Sequence, residues 1–131
     1  MDISGMAAVL RIDATSMTRE ALEAALGTAL ERYEPSRHAE TSYYAQVDIP
    51  AEYDTWNALT RWTETIGPKL STLRKNRLVG ATSIDLAVTF AEGKANLSLV
   101  VPSYVATTVG GYGIDIEFSV YLVTEEIGDQ Y

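Results

Sequence analysis

Few side chains in this chain could carry covalent chemistry. Cysteine is absent, and histidine occurs once, at His38. Histidine is the commonest general base, but this one sits in ERYEPSRHAE, among the charged residues of a polar loop. No G-x-S-x-G elbow presents a serine to it. Without cysteine there is no thiolate nucleophile, no Cys-based zinc site and no disulfide framework. H-E-x-x-H and the Asp-rich calcium loop are missing as well. The expectation is therefore a protein that is not an enzyme, with no catalytic residue, no metal site and no cofactor, and with His38 exposed in its loop.

One stretch looks like a phosphate cradle. VGGYGIDIEFSVYLV places Gly110, Gly111 and Gly113 around Tyr112. A dinucleotide fingerprint must follow a strand and open a helix. Here the glycines lead into a strand, so no helix N-terminus is left to receive a phosphate. They read as a turn that ends a short helical segment and aims the strand behind it, with Tyr112 projecting outward.

The remaining chemistry is recognition. Tyr44, Asp48, Asp85, Asp115, Glu117 and Tyr121 fall on the polar phase of alternating segments. They form the expected partner-binding set: an acidic, tyrosine-bearing sheet face. Tyrosine suits such a role because it offers contact area and a polar tip at low entropic cost. Asp13 lies on the same phase, and the carboxylates together could hold a hard cation. Alternation alone puts polar residues outside, however, so a metal is not expected.

These residues need elements to position them. AVLRIDA alternates around Leu10 and Ile12, the period of a half-buried strand. Thr15 or Thr18 then caps a helix through TREALEAALGTALERY, with Leu22, Ala25, Leu26, Ala29, Leu30 and Tyr33 as its apolar stripe. TSYYAQVDIP alternates again as a second strand. Asp54 is the expected N-cap of a long helix carrying Trp56, Leu59, Trp62, Thr63 and Ile66. Gly67-Pro68 predicts a break, then a second short helix, PKLSTLRKNR, whose Lys69, Arg74, Lys75 and Arg77 make the one basic patch. ATSIDLAVTF is the third strand, AEGKAN a hairpin turn, 97–101 its partner strand, and 114–123 the last strand.

The order β-α-β-α-β-β-(short α)-β predicts an α+β two-layer sandwich, with helices on one face of a mainly antiparallel sheet. A ferredoxin-like arrangement is the nearest common template. The 131 residues fit one domain, with a structured core over 7–124 and a frayed tail at 125–131. No run reaches the length of a membrane span, and MDISGMAAVL lacks the basic start of a signal peptide. A cytoplasmic protein is expected.

The net charge of −8 argues against nucleic acid and for a basic partner. Three stretches carry a family resemblance: ALGTAL, closing the first helix; WNALTRWTETIGPKLSTL; and SLVVPSYVATTVGGYGIDIEFSVYL. Together they resemble the bacterial domain of unknown function 4279 family. That family's second strand carries a tryptophan where TSYYAQVDIP has tyrosines. The resemblance implies the fold above and no activity or cofactor. Small acidic domains of this type look like immunity proteins, which neutralise a bacterial toxin by binding it. The expected function is thus a toxin inhibitor that occludes a basic site, binding neither nucleic acid nor membrane. The alternatives are a homodimer paired through an edge strand, or a small-ligand binder or enzyme with a pocket beside Gly67-Pro68.

Overall fold

The alternation around Leu10 and Ile12 builds the middle of the sheet. In a computed structural model, which describes residues 7–37, 41–91, 93 and 98–123, it forms β1 (Ala7–Thr15). Leu10 and Ile12 are fully buried, while Arg11 between them faces the other way. β1 lies between β3 (Tyr43–Asp48) and β4 (Thr82–Ala91), antiparallel to both. The sheet is completed by β2 (Arg32–Pro35) beside β3 and β5 (Ile114–Val123) beside β4, in the order β2-β3-β1-β4-β5. Ala45, Val47, Ile84, Leu86 and Ile114 join Leu10 and Ile12 in one core under the helices. The fold is α+β, with a mostly antiparallel sheet. His38, the AEGKAN turn apart from Ala91 and Gly93, and the expected tail lie outside the described residues.

The first helix is shorter than its apolar stripe predicts. α1 spans Arg19–Leu26, capped by the Thr18 hydroxyl, which accepts from the Ala21 N–H. It stops at Gly27, whose φ of 74° is a left-handed cap that glycine adopts without penalty. Lys69 Nζ donates to the Leu26 carbonyl, and Glu23 Oε2 accepts from the Leu30 N–H, so both sides of the stop have partners. Of the residues expected to continue the helix, Arg32 and Tyr33 open β2 instead, where Tyr33 faces the core and Arg32 and Glu34 face away. Tyr33 stacks on Tyr43 at 4.7 Å and donates its hydroxyl to the Met17 carbonyl.

The expected break at Gly67-Pro68 does not occur. α2 runs unbroken from Trp56 to Lys75, and its N-cap is Thr55 rather than Asp54. Trp56, Leu59, Thr63, Ile66, Leu70 and Leu73 are buried on both sides of the proline, so one stripe holds the helix to the sheet across it. Pro68 is exposed, which leaves the carbonyl it cannot serve within reach of water. Gly67 has a different cause. A Cβ there would lie 2.5 Å from the Tyr112 ring, which packs directly on the helix backbone. Tyr112 therefore turns inward, contrary to the expectation of an outward contact.

The chain does not return from β4 by a hairpin. Ser98–Val101 carry no strand. Pro102 instead starts α3 (Ser103–Gly111), its carbonyl accepting from the Val105 and Ala106 N–H groups. A helical crossover makes the next strand parallel, and β5 pairs with β4 from Thr82↔Ile114 to Ala91↔Val123. Gly110 and Gly111 close α3, and the turn the sequence predicts over GGYG is confined to Tyr112 and Gly113, with Gly113 at φ 72°. Arg74 fastens it, donating from Nη1 to the Tyr112 carbonyl and from Nη2 to Thr82 Oγ1, both at 2.8 Å.

The Tyr112 contact reverses an ordinary helix rule. Glycine to alanine inside a helix usually stabilises by about 1 kcal/mol. Gly67→Ala should instead destabilise by about 1–3 kcal/mol through overpacking, read from urea unfolding. Combining it with Tyr112→Ala should cost less than the two changes summed; strict additivity would show that the ring does not set the site.

Candidate binding face

Helices cover one side of the sheet, and the other side presents side chains in rows across the strands. One row runs Asp48, Val9, Asp85, Glu117 from β3 to β5. The next runs Arg32, Gln46, Arg11, Ser83, Asp115 from β2 to β5. Glu34 and Tyr44 pair beyond that row, and Thr89 and Tyr121 pair at the far end of β4 and β5. All six expected partner-binding residues therefore share the open face. They do not form one patch. Asp48 and Glu117 are three strand steps apart, roughly 14 Å at the usual strand spacing.

Asp85 has a role the sequence does not reveal. Its side chain is only 4% exposed, and it is ion-paired to Arg11 Nη2 at 2.6 Å. Both carboxylate oxygens also accept from the Ser119 hydroxyl, at 2.9 and 2.8 Å. A partner cannot reach it. Asp85 instead holds Arg11 on the face, where the arginine side chain is 37% exposed and its Nε is buried without a hydrogen-bond partner. Asp48, Asp115, Glu117 and Tyr121 remain open to contact.

Arginines gather where acids alone were expected. Arg11, Arg32 and Arg37 line a cleft of about 330 Å³ with Asp13, Glu34 and Tyr44. Arg32 pairs with Glu34 at 2.8 Å and lies over the Tyr44 ring, 5.7 Å from its centroid. The Tyr44 hydroxyl donates to Gln46 Oε1 at 3.0 Å. Burial holds this phenol above its ordinary range; Asp13 and Glu34 push the same way against Arg11 and Arg32. It is a neutral donor at physiological pH. The cleft escapes sequence reasoning because β2 is hidden inside a helical stripe, although the alternation of RYEP is its signal. The basic patch expected on a separate short helix falls instead on and just after the second half of α2 and is partly structural, since Lys69 caps α1 and Arg74 binds the GGYG turn. Among the described residues, no group of three or more acidic or histidine side chains is placed to hold a metal ion. No helix among them is long and apolar enough to cross a membrane.

The Arg11 and Asp85 pair can be tested on its own. Arg11→Met strands a buried carboxylate and should cost about 2 kcal/mol, below the usual range for breaking a buried pair because Arg11 is partly exposed. Arg11→Met/Asp85→Leu should recover much of that loss in denaturant titration. A single-variant cost no larger than that of a neutral surface change would mean that water, not Arg11, solvates Asp85.

No family model matches the chain, and no curated protein or solved structure is found to be similar to it.

Proposed function

We propose that this is a non-catalytic binding protein whose open sheet face docks a partner protein. The observation that carries the reading is the one-sided cover of the sheet. Helices bury Leu10, Ile12, Val47, Ile84 and Leu86, and leave Asp48, Asp115, Glu117 and Tyr121 uncovered on the opposite side. The scaffold behind the face is read as a ferredoxin-like unit of β1, α1, β2, β3, α2 and β4, extended by α3 and β5. The partner is a protein with a basic surface, taken to be a bacterial toxin whose basic cleft the face occludes. The net charge of −8 and the family resemblance support this choice.

The arginine cleft refines the picture. A basic surface suits the β5 side, where Asp115 and Glu117 stand, but not the β2 side, where Arg11, Arg32 and Arg37 meet. A matching partner sets lysines or arginines over the acids and an acidic side chain over the cleft.

The natural probe is the protein encoded by the gene immediately upstream. It should bind the wild-type chain, lose toxicity on co-expression, and bind more weakly as salt rises. Asp48→Asn/Asp115→Asn/Glu117→Gln should lower the affinity about tenfold, roughly half a kcal/mol for each rim charge. Calorimetry at two ionic strengths gives both readouts. Binding untouched by the triple variant would remove the face from the interface, and a neighbour that does not bind at all would sink the toxin assignment.

A further inference from the structure

The two edges of the sheet are built differently. β2 is four residues long, carries Arg32 and Glu34, and ends at Pro35. Short length, charge and proline are the usual means of keeping an edge from pairing. β5 is ten residues long, contains no proline, lysine or arginine, and runs beside β4 in unbroken register. Its outer backbone has no hydrogen-bond partner among the described residues. The helical layer covers Ile114 and part of Ile116, then leaves Phe118 37% and Val120 56% exposed on the helix side of the strand. Tyr121, on the open side, is 56% exposed.

We propose that β5 pairs antiparallel with β5 of a second copy of this chain, about a two-fold axis at Phe118. The strand's own charges select this register. Centred on Phe118, Asp115 faces Tyr121 of the second copy and Glu117 faces Ser119. On the helix side, Ile116 meets Val120 and the two Phe118 rings meet each other. Centring on Glu117 sets that carboxylate against itself, and centring on Ile116 sets Asp115 against Glu117 twice; like charges directly opposite destabilise a sheet. Centring on Ser119 avoids both clashes but separates the two Phe118 rings and sets each against Val120. The Phe118 register gives every residue from 114 to 122 a partner, joins the two five-stranded sheets into one, and keeps the helices of both copies on the same side. It closes on itself, as an isologous contact must. The dimer does not depend on what docks on the open face.

Sedimentation velocity at micromolar to sub-millimolar concentration should give twice the 14.3 kDa chain mass. Association should tighten with added salt, because each copy carries a charge of −8 and salt screens their repulsion. Val120→Lys should give a monomer with unchanged far-UV circular dichroism. The register has its own readout, since the chain lacks cysteine. Phe118→Cys puts two thiols directly opposite, within disulfide reach, and should form a crosslinked dimer under mild oxidation. Ser119→Cys and Val120→Cys face other residues and should not. A wild-type chain that stays monomeric overturns the proposal even if Val120→Lys fails to fold. A dimer that crosslinks through position 119 or 120 rather than 118 overturns the register.

Discussion

Leu10 and Ile12 reach no solvent, and Arg11 between them points through the opposite face to a deeply buried carboxylate, Asp85. This opposition on β1 fixes the rest of the sheet. β1 is the central strand, so its register sets that of β3 on one side and β4 on the other. A slip of one residue would drive Arg11 under the helices and push Leu10 and Ile12 into water. The hydrophobic side of that choice is non-directional. The ion pair is not, because Arg11 Nη2 finds Asp85 only when Val9 stands opposite Asp85 and Arg11 opposite Ser83. The pair contributes registry where burial alone supplies cohesion. Ser119 carries the same constraint outward to β5 by donating to the Asp85 carboxylate.

The helical layer positions β5 from the other side. Tyr112 lies on Gly67 of α2, and Arg74 of the same helix ties the Tyr112 carbonyl to Thr82 at the start of β4. The crossover from α3 to β5 is thus clamped between α2 and β4 before β5 begins. Gly113 turns the chain there, where a side chain would meet the Arg74 guanidinium. Asp115 and Glu117 follow within a few residues, so their placement on the open face rests on a glycine, an arginine and a tyrosine that face elsewhere. The continuity of α2 is part of this mechanism. A helix broken at Pro68 would separate Gly67 from Arg74, and the two could not act on one turn.

The parts of this fold legible in the sequence are those where one element decides its own pattern. β1, β3, β4 and β5 each alternate cleanly, and Leu10, Ile12, Ala45, Val47, Ile84, Leu86, Val88 and Ile114 are buried where the alternation puts them, while Phe118 and Val120 farther along β5 stay exposed. The parts that were not legible depend on residues far apart in the chain. Gly27 ends α1 because a left-handed cap there meets Lys69 from α2, and no local signal separates that glycine from a tolerated interior one. β2 is hidden because Tyr33 continues a helical stripe while also fitting a strand. Pro68 is a stop signal in the sequence, since the buried residues that carry the helix across it act only in the packed structure. The open face divides the same way. Its side chains could be assigned from period alone, but the withdrawal of Asp85 and the meeting of Arg11, Arg32 and Arg37 require the strand order.

That division changes what the face can recognise. A uniformly acidic surface attracts any basic protein and orients none. Here Asp115 and Glu117 lie exposed on β5, at one edge, while toward the other edge the signs are mixed: Arg32 is paired with Glu34, Arg37 and Asp13 line the same cleft, Asp48 stands on β3, and Arg11 is neutralised by Asp85. The face therefore has a direction. A partner rotated by half a turn would move its basic groups from Asp115 and Glu117 to the mixed-charge cleft and set its acids over Glu117, a contact that repels. Such repulsion distinguishes orientations as effectively as attraction does, and it acts before close contact forms. The neutral Tyr44 hydroxyl and the Tyr121 ring add contact without charge at opposite ends of this gradient. Specificity on this face comes from the order of charges across the strands, which β1 sets, more than from the total charge of the chain.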